Sequence, residues 1–256
     1  MGRVPTYITW FDEDEYIGKE ICFEGLGGSA QSTWRLDQKV LENEYCESEE
    51  DVTAGIVFSE ARAVFFCSTH GSDPSKAVIK IRMQIPWRGT ATKPVRVRAK
   101  QAEENPTPGT MREIEALQRL TDAGCPSTPA LYGWKQEKQC PEMWVPGGHI
   151  VYILMEKLPG INLRSFFVDL DRKERDQCRE AFKKAWLECL AAGVVNIDSA
   201  DRNLLWDRKQ KKCYIIDFEH SCKSKKKDAW RNSLYIAWNL AIFSGTTFDD
   251  MSEWEL

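Results

Sequence analysis

The clearest pattern along the chain is a short run of alternation, Lys76 to Met83, in which Ala77, Ile79 and Ile81 fall on one face and Val78 and Lys80 on the other. Two more strand-like stretches precede it, at about 52–58 and 62–68 (RAVFFCS), and the turn THGSDPS joins the last two as a hairpin. Helical periodicity takes over further on. Thr107-Pro108 marks a helix start, with Thr as cap and Pro in the first position, and the element runs to about Thr121. A second helix spans about 171–191. Asp171 and Glu174 form its capping-box pattern, and Cys178, Phe182, Ala185, Trp186 and Cys189 its apolar stripe. Between the two helices, HIVYILMEKLP (149–159) reads as a buried strand entering a loop. After them come the polar loop NIDSADRN, a hairpin through LLWD and CYIID, and a last helix near 228–243.

Composition narrows the class. The 256 residues are 42% hydrophobic and 29% charged, enough for a sizeable core, and no run approaches 18 apolar residues. With 39 acidic against 35 basic side chains the net charge is −4, which weighs against a general nucleic-acid binder. Nine scattered cysteines, odd in number and never spaced CxxC, read as thiols of a reducing compartment rather than a disulfide or zinc framework. The expectation is a soluble, intracellular, cytoplasmic protein with neither membrane nor nucleic acid as partner. Residues 1–50 form an acidic, aromatic-rich extension, and 84–109 an exposed insertion rich in Pro, Thr and basic residues.

The order of chemistry-bearing residues is more specific than any one of them. A strand lysine is followed by a helix glutamate, an apolar strand, and Asn196-Ile197-Asp198-Ser199-Ala200-Asp201-Arg202-Asn203. Fourteen residues after Asn203 comes Asp217-Phe218-Glu219, closing the strand Cys213–Ile216. This series resembles the protein-kinase-like superfamily, including the aminoglycoside and choline phosphotransferases, over about residues 50–245. The resemblance implies an α/β (α+β), two-lobed protein-kinase-like fold with a shortened helical C-lobe: extension 1–50, N-lobe and hinge 51–158, C-lobe 159–256. It also implies ATP and Mg²⁺ as cofactors, with transfer of the γ-phosphoryl group to a hydroxyl acceptor, a small molecule before a protein. Asp198 would take the hydroxyl proton, and Asn203 and Asp217 would hold the metal. Lys80 would meet the α- and β-phosphates, and Val78 and Leu205 would enclose the adenine. The segment Met155-Glu156-Lys157-Leu158 would serve as hinge, Glu156 and Leu158 meeting the base and Met155 guarding its pocket.

Lys80 requires a carboxylate partner in this scheme. At about 100° per residue, Glu113 shares a face with Leu117 and Leu120, whereas Glu115 points outward and can pair with Arg119. Thr110-x-x-Glu113 also reads as a capping box, which would leave Glu113 only closing a helix. The family's phosphate-covering loop falls on Phe58–Ala63, which holds no glycine, and Gly25-Leu26-Gly27-Gly28 lies too far upstream to replace it and reads as a turn. Asn196 stands where the family has histidine, and Glu219 where it has glycine. The basic run Lys223–Lys227 either attracts an anionic substrate or is a solvated loop. These departures keep open an alternative of another class, an inactive pseudokinase that binds nucleotide or serves as a scaffold.

Overall fold

The computed structural model describes residues 8–24, 31–54, 59–244, 248 and 251–256. The chain divides into two compact units. One comprises residues 1–108 and 132–157, the other 109–131 and 158–256.

The first unit is built on a six-stranded sheet. In chain order its strands are β1 (Glu20–Phe23), β2 (Ser32–Tyr45), β3 (Glu60–Ser68), β4 (Lys76–Gln84), β5 (Leu131–Lys138) and β6 (His149–Glu156). Their spatial order is β1-β2-β3-β4-β6-β5. The successive pairs from β1 to β4, and β4 with β6, are antiparallel, and Lys80 sits opposite Val64 on one side and Ile153 on the other. Two irregularities in the β2–β3 register, at Leu36/Gln38 and Lys39/Leu41, add the local bend and twist that bulges impose. The sheet curls until its two edges meet. A β-carbon at Gly133 of β5 would lie 3.6 Å from the Phe23 ring of β1, ordinary van der Waals contact, which places the two edge strands side by side.

The concave packing follows the alternation of β4. Ala77, Ile79, Ile81 and Met83 all enter one core with Leu36, Phe65 and Tyr152. The short helix α1 (Glu13–Tyr16), capped by the Asp12 side chain, lays Phe11 and Tyr16 against Phe65. Burying each such ring contributes about 1.5–3 kcal/mol. The opposite face of the same strands is polar but buried. Glu60 of β3 and Arg82 of β4 form an ion pair of 3.0 Å with side chains 4% and 0% exposed. Thr107 donates to the same carboxylate at 3.2 Å, and His149 Nε2 lies 3.8 Å away. Burial alone would raise the Glu60 carboxyl. His149, Arg82 and Arg62 outweigh it and hold the group down at about 2.

Helices α2 (Glu49–Thr53) and α3 (Val95–Arg98) complete this unit. The first replaces the start of the strand expected at 52–58, whose remainder, 55–58, lies outside the described residues. Its acidic first turn favours a helix N-terminus, and Ser48 accepts a hydrogen bond from the Asp51 amide. Residues 84–109 are less exposed than expected, since Gln101 is buried and receives the Trp87 amide. Residues 20–45 supply two strands of the sheet.

The second unit contains α4 (Pro108–Asp122, from Gly109 onward), α5 (Phe166–Asp169), α6 (Arg172–Ala191) and α7 (Ser233–Ala237). Its strands are β7 (Ile161–Asn162), β8 (Val194–Asn196), β9 (Leu204–Asp207), β10 (Lys212–Ile215) and β11 (Ser221–Lys223). They form a small sheet in the order β10-β9-β7 and an antiparallel ribbon of β8 with β11. Helix α6 lies on β10 and β8. Its expected cap is present, Asp171 accepting from the Glu174 amide at 2.8 Å, and its five expected apolar positions are all buried. The helix expected at 228–243 shrinks to the five residues of α7, around which Trp230, Tyr235 and Trp238 gather their rings on Phe182.

The two-lobed protein-kinase-like fold with a helical second half is therefore corrected. The chain is mostly antiparallel sheet, with a nearly closed six-stranded sheet and 28% helix. Among the described residues, the second unit carries five strands beside the two long helices α4 and α6, because the hairpin and ribbon sequences are short and close on each other.

The buried Glu60–Arg82 pair yields a direct test. Glu60→Gln removes a charged partner from a buried guanidinium, and the expected loss is up to about 3–5 kcal/mol in urea unfolding at pH 7. The depressed carboxyl of Glu60 contributes stability that is fully present above pH 4.5, its ordinary value, and is lost as pH falls towards 2. The wild type should weaken through that window more steeply than Glu60→Gln. Equal acid slopes would contradict the assignment.

Candidate functional site

The polar loop after β8 and the segment after β10 are bound together by one side chain. Asn196, the last residue of β8, is buried. Its Nδ2 donates to the carbonyl oxygens of Asp217 at 2.9 Å and Ile216 at 3.3 Å, while its Oδ1 accepts from the Asp198 amide at 2.9 Å. Two backbone bonds reinforce the link: Ile197 N–H donates to His220 and Ile216 N–H to Asn203. The residue that departs from the family's histidine is thus the clasp of the loop, and no chemistry is required of it.

Within the loop, Asn203 uses its amide nitrogen on Asp198, donating to the backbone oxygen and to Oδ2, both at 2.9 Å. Its side-chain oxygen is the atom left to offer a ligand. Asp198 also takes both bonds of the Arg202 guanidinium, at 2.8 and 2.7 Å. Asp217 has φ of +61°, a left-handed conformation that few non-glycine residues occupy and that aspartate tolerates better than most. Such outliers persist where the surroundings over-determine the backbone, and the Asn196 bond to its carbonyl is one of the restraints.

The third residue of Asp217-Phe218-Glu219 has a structural task. Glu219 lies over the first turn of α4, its Cγ and Oε1 3.1 Å from where a β-carbon of Gly109 would be, at the end of a helix dipole that favours an anion. Arg112 Nε donates to the Glu219 carbonyl at 3.3 Å. Phe218 is fully buried.

The other expected site residues are divided between the units. Lys80 and Val78 of β4 and Glu156 of β6 belong to the first unit, and Glu113, Leu158, Asp198, Asn203, Leu205 and Asp217 to the second. Lys80 is buried at 8% exposure, which removes the reading of a free surface lysine, and Val78 is half-buried opposite Met155. Glu113 is buried and Glu115 exposed, as helical geometry requires. Helix α4 begins at Pro108, so Thr110 lies inside its first turn and does not cap it. Glu115 and Arg119 do not form the expected ion pair among the described residues. Leu205 is half-buried on β9 opposite Tyr214. Ser59–Ala63 is no phosphate-covering loop: from Glu60 on it is the start of β3, paired with β4, and Phe58 lies outside the described residues with Gly25–Gly28.

One reactive group escaped the sequence reading. Cys125 follows α4 in a turn whose Ser127 hydroxyl donates to Glu188 of α6. A hydrogen bond from the Cys189 thiol, aided by Ser127 and Thr128 and opposed by burial, holds the Cys125 thiol down at about 6. No spacing in the sequence pairs residues 125 and 189; only the packing of that turn on α6 does.

No family model matches the chain, and no curated protein does. No helix among the described residues is long and apolar enough to cross a membrane.

Two predictions follow from this geometry. Asn196→Ala removes three hydrogen bonds, each worth about 1 kcal/mol net, so unfolding should cost roughly 2–3 kcal/mol less. Exchange of the Asp198 amide should quicken more than that of α6, and uniform acceleration would show that Asn196 is not a local clasp. Cys125 should be the thiol alkylated by iodoacetamide near neutrality, its rate rising with pH through about 6. Labelling of the exposed Cys22 ahead of Cys125 at pH 7 would refute this.

Proposed function

We propose that the chain is an ATP- and Mg²⁺-dependent phosphotransferase that moves the γ-phosphoryl group to a hydroxyl, of a small molecule in preference to a protein. The observation that carries this reading is the interlock of Asp198 with Asn203, tied through Asn196 to Asp217. The likeness to phosphotransferases rests on these residues and their order, not on the fold. In the reaction the acceptor oxygen bonds to the γ-phosphorus, the bond to the bridging oxygen of ADP breaks, and the hydroxyl proton passes to the Asp198 carboxylate.

The donor set suits the metal. Asn203 Oδ1 and the Asp217 carboxylate are hard oxygens, and magnesium is typically held by one or two protein carboxylates, the remaining positions going to phosphate and water. When bound, magnesium supplies charge neutralisation on the phosphates. Asn196 keeps Asp198 and the metal-ligating Asp217 in one frame. All nine cysteines are free, which suits a reducing intracellular compartment.

One observation favours a second reading. Arg202 grips both oxygens of Asp198, the arrangement expected if that carboxylate only holds the loop shape in an inactive nucleotide-binding or scaffold protein.

Asp198 and Asp217 separate the readings. Mg-ATP should raise the thermal midpoint of the wild type. Asp198→Asn should keep that shift but slow single-turnover transfer, in a hydroxyl-metabolite library, by about 10²–10⁴-fold. Asp217→Asn should weaken both. Transfer that is equal in wild type and Asp198→Asn would end the enzymatic reading, and a Mg-ATP shift with no transfer to any acceptor would leave the scaffold.

A further inference from the structure

A cleft of about 250 Å³ opens within the second unit between α4 and the β8–β11 ribbon, and Arg112, Arg119 and Lys223 line it with a single carboxylate, Glu115. We propose that this cleft binds a small phosphate monoester, a site separate from the Asp198–Asn203–Asp217 loop.

The placement of the charges gives the cleft two ends. Lys223 pairs with Val194 across the ribbon, and Arg119 runs beside Gly193, its Cδ 3.7 Å from where a β-carbon would sit. Arg119 and Lys223 therefore share one end. Ser221 pairs with Asn196 two residues away along the ribbon, and Arg112 is anchored by its Nε on the Glu219 carbonyl, so Arg112 and Ser221 share the other. Arg112 and Arg119 are seven residues apart on α4, about 10.5 Å along its axis. Glu115 lies between them.

This arrangement specifies a ligand. Among the described residues, none of the three cations is neutralised by an ion pair, and convergent cations with backbone on one wall favour a dianion over a single carboxylate. The guanidinium of Arg119 matches a phosphate in bidentate fashion, and Lys223 adds a point charge. Glu115 and Ser221 are placed to meet hydroxyls on the rest of the molecule. The volume falls just below the range of about 300–1,000 Å³ usual for drug-sized ligands, which admits a phosphate with a few carbons and leaves out a whole nucleotide. Lys223 is also the first residue of the basic run, and of that run it is the lysine that lines the cleft.

The experiment is isothermal titration of the full chain with glycerol 3-phosphate, with inorganic phosphate and glycerol as separate arms, at physiological salt. One saturable site for glycerol 3-phosphate, tighter than inorganic phosphate and absent for glycerol, is expected. Arg119→Gln and Lys223→Gln should each weaken it about tenfold or more, the loss of a charge-assisted hydrogen bond. Lys226→Gln removes the same charge from the same run without lining the cleft, and should leave affinity within about twofold. Absence of saturable binding by the wild type would overturn the proposal, as would equal weakening by Lys226→Gln and Arg119→Gln. No ATP enters the titration, so its outcome is independent of the phosphotransferase reading.

Discussion

The hydrogen bonds of a single buried amide organise the chemistry-bearing half of this protein. Asn196 ends a strand, and its two polar atoms face in opposite senses, donating towards Asp217 and accepting from Asp198. Neither segment has regular structure to hold it, so their separation is set by a side chain that is itself pinned by the β8–β11 pairing. Asparagine can do this because its amide is donor and acceptor at once and does not titrate. A histidine in the same place would fulfil both roles only in one tautomer. The exchange of one for the other preserves the geometric duty of the position.

Fold and chemistry part company here. The residue series on which a phosphotransferase is proposed is presented in part by a curled, largely antiparallel sheet. Function is argued from sites, since unrelated scaffolds can arrange the same groups. What transfers from the residues is the expectation of hard oxygen donors beside a proton acceptor; the surrounding architecture is this chain's own.

The sequence was legible where local chemistry decides structure. Pro108 starts α4, Asp171 caps α6, and alternation puts Ile79 and Ile81 in the core with Lys80 on the other face. The facing of Glu113 followed from helix geometry alone. Legibility failed where burial is uneven or partners are distant. Most of the fourteen residues of β2 are exposed or half-exposed, so no alternation marks it as a strand. Glu60 meets Arg82 only through β3–β4 register, and β3, which begins at Glu60, displaced an expected loop. Trp230 and Trp238 fall in the helix expected at 228–243 but pack as an aromatic cluster on α6. The Arg202 clamp on Asp198 is a local i,i+4 pair, yet nothing in the loop sequence separates it from a solvent-facing arginine.

The route of the chain between the units has a consequence for its biogenesis. Residues 109–131 belong with 158–256, although the first unit resumes between them. On the ribosome, α4 therefore emerges well before the strands it packs with. The Ser127 carbonyl must wait for Ile215, and Arg112 for Glu219, 107 residues later. During that interval the apolar face of α4, with Ile114, Leu117 and Leu120, has no permanent cover from its own unit. A nascent chain of this topology presents a sticky amphipathic helix to solvent or to a chaperone for several seconds at ordinary elongation rates of about 5–20 residues per second. The first unit, too, cannot close until β6 is made. The order of synthesis thus sets a window of vulnerability that neither unit, viewed finished, would reveal.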